Sequence, residues 1–171
     1  MLAVLQALGA GREALEAAVA GIDDILANRR PEPEAWSILE CVEHVVLAEQ
    51  LLLSRLAAAS QSEHSTGNRA REAAILARGA DRTRPLKSPE EAVPSGRFTT
   101  LDNALAAFES ARAATLRFVG GLEGDPRRRV TTHPLIPGLL NCYEMLLILA
   151  VHPLRHAEQI RAVRRSLAPL V

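Results

Sequence analysis

The stretch NCYEMLLILAVHPLRHAEQIRAVRRSL, Asn141–Leu167, decides how this chain folds. Met145, Leu149, His152, His156, Gln159 and Val163 recur at steps of four and three, the spacing of one helical face. Asn141 is a good N-cap for such a helix. The face begins apolar and then carries two histidines, so the imidazoles continue a stripe that points into a core. Pro153 lies between them, where it removes the amide hydrogen bond to the Leu149 carbonyl and predicts a bend that turns His152 away from its ideal direction. Each buried polar group without a partner costs about 1–3 kcal/mol. A pair four residues apart can meet that need by clamping a metal ion, or by complementing the dipole near a helix C-terminus.

Outward from that segment, helical periodicity dominates. A first block over residues 2–28 carries Leu5, Leu8, Leu15, Val19, Ile22 and Leu26 on one stripe, with Gly9 and Gly11 weakening its start. Pro31 and Pro33 end it. A second helix is expected over 34–59, with Ser37, Glu40, Cys41, His44, Leu47, Ala48 and Leu51 on one face and His44 near its middle. Residues 60–98 are polar and rich in turn formers, with a short helix over 69–78, and a crossover this long predicts a functional edge or lid. A third helix is expected over 100–120, capped by Thr99 or Thr100, with Leu101, Leu105, Phe108, Leu116 and Val119 buried. GLEGDPRRRVTTHPLIPGLL, Gly121–Leu140, reads as a loop. Four apolar stripes that must find partners define an all-α four-helix bundle, one domain over residues 1–171.

Composition narrows the function. Twenty basic residues balance twenty acidic ones, and only five residues are Phe, Trp or Tyr, so nothing favours nucleic acid or an anionic membrane as partner. No apolar run approaches the length of a membrane span. The opening MLAVLQALGA has no basic segment before it and runs into helical periodicity, so it reads as helix rather than signal peptide. With two cysteines, Cys41 and Cys142, and no disulfide framework, a cytoplasmic location is expected. Glycine-rich phosphate loops, serine nucleophile elbows and Cys-x-x-Cys pairs are missing, which removes most nucleotide-binding and classical hydrolase chemistry.

The remaining chemistry lies in histidines. A bundle can set His44 against His152 and His156, and three imidazoles plus water make a catalytic zinc or similar divalent site. The competing reading keeps all three as core histidines satisfied by hydrogen bonds.

WSILECVEHVVLAEQ (Trp36–Gln50) resembles the second-helix signature of the DinB/YfiT-like superfamily. HPLIPGLLNCYEMLLILAVHPLRHAEQIRAV (His133–Val163) is similar to its last segment, a His-Pro loop, an apolar helix and then His-x-x-x-His-x-x-Gln. RFTTLDNALAAFESARAATLRFV (Arg97–Val119) falls where the third helix belongs, so the resemblance covers nearly the whole chain. It implies an up-down-down-up bundle holding a divalent metal, zinc or nickel, on His44, His152 and His156. It implies further a metal-dependent thiol transferase or hydrolase acting on a small molecule, with a thiol cofactor in some relatives. Pro153 and Leu154 depart from the helix-compatible, often acidic residues usual between the last two histidines. That departure motivates the second reading, a non-catalytic structural or interaction bundle that has lost its metal.

Around this core the other residues divide. Cys41 is either a fourth, thiolate ligand or a small buried hydrophobe. Glu40 either orients the far nitrogen of His44 or lies on the helix surface. His133 is a surface-loop histidine or a contact at the mouth of the site, and Gln159 can bond a ligating imidazole; both are candidate cofactor-binding residues. His64 reads as an exposed loop residue, and Arg155 and Glu158 as ion-pairing residues off the stripe. Trp36 is expected to pack at the opposite end of the bundle. Apolar surplus on the first and last helices predicts a homodimer.

Overall fold

The computed structural model describes residues 1–63, 67–83 and 87–168. Four long helices, α1 (Leu2–Val19), α3 (Ile38–Ala57), α5 (Leu101–Gly120) and α6 (Cys142–Leu167), form the bundle; α2 (Asp24–Asn28) and α4 (Arg69–Ala77) are short additions. His64 lies outside the described residues.

Local signals explain the boundaries. The first block is not continuous to residue 28: Gly21, at a φ of 71°, turns the chain, and Asp23 caps α2 by accepting from the Leu26 amide. The second helix starts four residues later than the periodicity suggests. There Ser37 and Glu40 form a capping box, each side chain accepting from the other's backbone amide. Asn141 and Glu144 do the same for α6, and Thr100 caps α5.

The direction of each helix follows from its contacts. Arg161 reaches the Ala14 carbonyl and Arg164 the Ala20 carbonyl, so α6 runs parallel to α1. Glu43 meets residues 95–97 and Glu49 meets Arg112 and Thr115, so α3 and α5 also run parallel. The N-terminal half of α3 packs with the C-terminal half of α6, through Ile38, Val42, Val45, Ile160 and Val163, which sets the two pairs antiparallel. The topology is up-down-down-up. A second cluster around Leu8, Leu52, Leu56, Met145, Leu146 and Leu149 fills the other end.

The expected loop before the last helix contains strands. β1 (Ser60–Gln61), β2 (Arg129–Thr132) and β3 (Leu139–Asn141) make a small antiparallel sheet, with Val130 paired to Ser60 on one side and Asn141 on the other. Val130, Thr131 and Thr132 are β-branched, which suits a strand better than a loop. The sheet ties the start of the crossover to the entry of α6, and Glu72 of α4 grips Arg127 through two hydrogen bonds of 2.6 and 2.9 Å.

Two stripe assignments change. Leu5 and Leu116 are exposed at 44% each and line a groove between α1 and α5, while Val4 enters the core in place of Leu5. The apolar residues of α6 are almost all internal, so the exposed leucines of the bundle sit on α1 and α5, not on the last helix. No helix among the described residues is long and apolar enough to cross a membrane.

Pro153 is absorbed within α6, which continues from Cys142 to Leu167. Gly11 accounts for part of this: a Cβ there would meet the Ala150 carbonyl oxygen at 2.4 Å and the Pro153 ring at 3.5 Å. The glycine that weakens α1 in isolation is thus what lets α1 lie against the proline turn. Gly11→Ala is expected to destabilise the protein by about 1–3 kcal/mol through overpacking, despite alanine's better helix propensity. Gly9→Ala, where the added carbon meets nothing, is expected to stabilise it by up to about 1 kcal/mol. Chemical denaturation of the two variants checks the pair, and equal effects would refute the close-approach account.

Candidate metal centre

His44 projects from the N-terminal half of α3, and His152 and His156 from successive turns of α6. Their imidazole centroids are 5.1 Å apart for His44 and His152, and 4.5 Å for His156 with each of the others. One ring nitrogen from each lies within 4.8 Å of the other two. The Nε2 atoms of His152 and His156 approach to 3.1 Å. The displacement of His152 expected from Pro153 is therefore not observed.

The donor set fits a divalent ion. Two imidazole nitrogens on one tetrahedral zinc stand roughly 3.3 Å apart, given Zn–N bonds of about 2.0–2.1 Å; the 3.1 Å His152–His156 pair matches that directly, whereas separations up to 4.8 Å within the group would have to close on binding. His44 Nδ1 donates to the Ala92 carbonyl at 2.7 Å, which leaves the Nε2 lone pair as its ligand atom. Buried His156 Nδ1 has no hydrogen-bond partner, but Nε2 is the nitrogen that faces His152, so a metal held by Nε2 would leave Nδ1 as it is. Imidazole donors suit zinc, nickel, copper and iron rather than magnesium or calcium.

Electrostatics keep the rings neutral, the form that binds metal. Desolvation lowers the pKa of all three, and the neighbouring imidazoles and Arg155 lower His152 and His156 further; His152 is pushed down to about 3. The unfolded chain therefore takes up protons first as pH falls, and stability drops with it. Chelated protein is expected to lose stability progressively below about pH 6.5, the unfolded histidine value. For His152 alone the loss is about 2 kcal/mol by pH 5. Urea midpoints at pH 7.5 and 5 measure this, and a protein with all three histidines changed to glutamine is expected to show a flatter profile.

The surrounding residues differ from several expectations. Cys41 is buried in the apolar core, its thiol raised by desolvation to about 12, and it is not in the histidine group. It is a small hydrophobe here. Glu40 does not touch His44: it completes the capping box and pairs with Arg30. The far nitrogen of His44 belongs instead to Ala92. Trp36 does not sit at the opposite end; its ring lies 4.8 Å from that of His44 and forms a wall of the site.

His133 sits in the β2–β3 connection, where its Nδ1 accepts from the Leu135 amide at 3.0 Å and burial lowers its pKa; it is not in the group formed by His44, His152 and His156. Gln159 lies beside the His156 ring and favours its charged form, although no hydrogen bond of normal geometry reaches Nδ1. Arg155 donates to the Asp81 carbonyl, and Glu158 pairs with Arg161.

The periodicity missed Glu43. It precedes His44 in an otherwise apolar run, is fully buried, and accepts from the backbone amides of Ser95, Gly96 and Arg97 at 2.7, 3.2 and 3.1 Å. An acidic residue at that place in VEHVV is the signal that was available.

Parallel outer helices, a long crossover and three inward imidazoles from two antiparallel helices define a class: up-down-down-up bundles with an internal three-histidine cluster. The chain belongs to the DinB superfamily, whose family model matches residues 7–160. It is also similar to the uncharacterized protein YuaE of Bacillus subtilis (strain 168), at 22% identity over 151 residues, covering 86% of this chain and 88% of that protein.

Proposed function

We propose that the chain binds one divalent metal, zinc or nickel, through His44, His152 and His156 and uses it in thiol transfer or hydrolysis on a small molecule. The observation that carries this is the convergence of three imidazoles, one held in the metal-binding tautomer by the Ala92 carbonyl. A three-histidine set leaves a coordination position open, and a metal there polarises a substrate or lowers the pKa of a bound water or thiol. Burial supplies the low dielectric in which such polarisation counts. His133 is the side chain we assign to the mouth of the site as a substrate or cofactor contact, and Gln159 the one that supports His156.

Elemental analysis of untagged protein, followed by cobalt titration read in the visible spectrum, tests the metal. A stoichiometric tetrahedral or five-coordinate spectrum is expected. No uptake of zinc, nickel or cobalt would end the proposal. It would favour instead a metal-free bundle, for which the direct 3.1 Å contact between His152 and His156 already offers a hydrogen bond.

A further inference from the structure

Glu43 and His44 are consecutive on α3, and both reach out to one segment of the crossover. Residues 88–97 cross α3 there as a strap. Glu43 gathers three successive backbone amides, those of Ser95, Gly96 and Arg97, on its two carboxylate oxygens. His44 takes the Ala92 carbonyl, with the Ser88 hydroxyl 3.5 Å away. The Ala92 methyl is buried against Leu47 and Ala48, with Leu51 packed beside them.

Charge-assisted hydrogen bonds to a fully buried carboxylate are stronger than neutral ones, and a carboxylate left there without its donors is costly. Glu43 therefore binds the strap more firmly than the small apolar contact of Ala92 can. Carbonyl position matters at the 2.7 Å scale, because the Ala92 oxygen determines which nitrogen of His44 carries the proton. A strap displaced by an ångström no longer chooses between the tautomers.

We propose that Glu43 is a positioning residue for the metal centre: by holding the strap through Ser95, Gly96 and Arg97, it places the Ala92 carbonyl that fixes His44 with Nε2 as donor. This rests on the metal-site reading above and adds a residue that touches neither metal nor substrate. The same arrangement makes residues 88–97 a supporting element of the site.

Glu43→Gln is the informative variant. Its amide retains the side-chain shape but turns an NH2 group toward backbone donors that need acceptors. Metal affinity, measured by competition with a chromophoric chelator, is expected to fall about 10–100-fold, the usual range for a lost supporting partner. Glu72→Gln serves as control, since it breaks the remote pair with Arg127 and lowers stability without touching the strap; its affinity is expected to stay within about threefold of wild type.

A second readout needs no metal. Nitrogen-15 shifts of the His44 ring in chelated protein are expected to show protonated Nδ1 in wild type and a mixture of tautomers in Glu43→Gln. An unchanged tautomer together with unchanged affinity would overturn the proposal and show that Ala92 packing alone seats the strap. Equal losses of affinity in Glu43→Gln and Glu72→Gln would also overturn it, by tracing the effect to general destabilisation. Should wild type take up no metal, the metal-site reading fails by itself, and the tautomer measurement then decides the role of Glu43.

Discussion

His156→Ala is expected to abolish stoichiometric metal binding and to erase the difference in melting temperature between metal-loaded and chelated protein. His156 is the hinge of the cluster, 4.5 Å in ring centroids from both other imidazoles and within 3.1 Å of His152 Nε2. Without it, two ligands on different helices remain, too few for a catalytic site. A ligand present at a hundred times its dissociation constant stabilises the folded state by about 2.7 kcal/mol. For a domain of this size that amounts to roughly 5–10 °C, so the wild-type difference is large enough to read by calorimetry. The chelated variant should remain within about 2 kcal/mol of chelated wild type, because the substitution also removes the unpartnered Nδ1. A variant that kept the wild-type response to chelator would contradict the assignment.

Arg112→Met is expected to be more damaging, costing about 3–5 kcal/mol at pH 7, because it strands a buried carboxylate. Arg112 and Glu49 are each about 2% exposed, and their 3.0 Å bond joins α5 to α3 inside the bundle. Arg112 also donates to the Leu8 carbonyl of α1, and Thr115 donates to the other Glu49 oxygen at 2.8 Å. Burial already raises the pKa of Glu49 against the opposing pull of Arg112, and losing the guanidinium raises it further. The folded variant then binds a proton that the unfolded chain has released. Relative to wild type it should regain stability as pH falls from 7 toward the unfolded carboxylate value near 4.3. Urea unfolding of both proteins at pH 7 and 5 isolates this term, since the histidine contribution is common to both. Adding Glu49→Gln to Arg112→Met should recover most of the loss at pH 7. A single variant within about 1 kcal/mol of wild type would show that the pair is dispensable.

The bundle was legible because its signals are local and repeated. The stripe from Met145 to Val163 carried both the burial of α6 and the inward direction of His152 and His156, and one more histidine on a comparable stripe, His44, completed the set. What could not be read depended on contacts distant in sequence. The partner of His44 Nδ1 is a backbone carbonyl 48 residues away, which no side-chain pattern encodes. Pro153 looked disruptive because its compensation lies in another helix, at Gly11. Trp36 differs from expectation because α3 begins only after the Ser37–Glu40 capping box, so Trp36 precedes the helix, where its ring lies against His44. The strands at Arg129–Thr132 and Leu139–Asn141 were hidden by the turn residues between them.

The up-down-down-up order has a kinetic consequence. His44 lies on α3, whereas His152 and His156 lie on α6, the last helix of the bundle in chain order and the one that joins α1, α3 and α4. Pairing α1 with α6 closes nearly the whole chain into a loop, the kind of contact whose entropy cost is met late in folding. During synthesis α1, α3 and α5 emerge first and can associate through Leu8, Glu49 and Arg112, while one face of the assembly stays open. The three nitrogens meet only when α6 docks into that face, so the metal binding proposed above would have to wait until α6 has been made and seated.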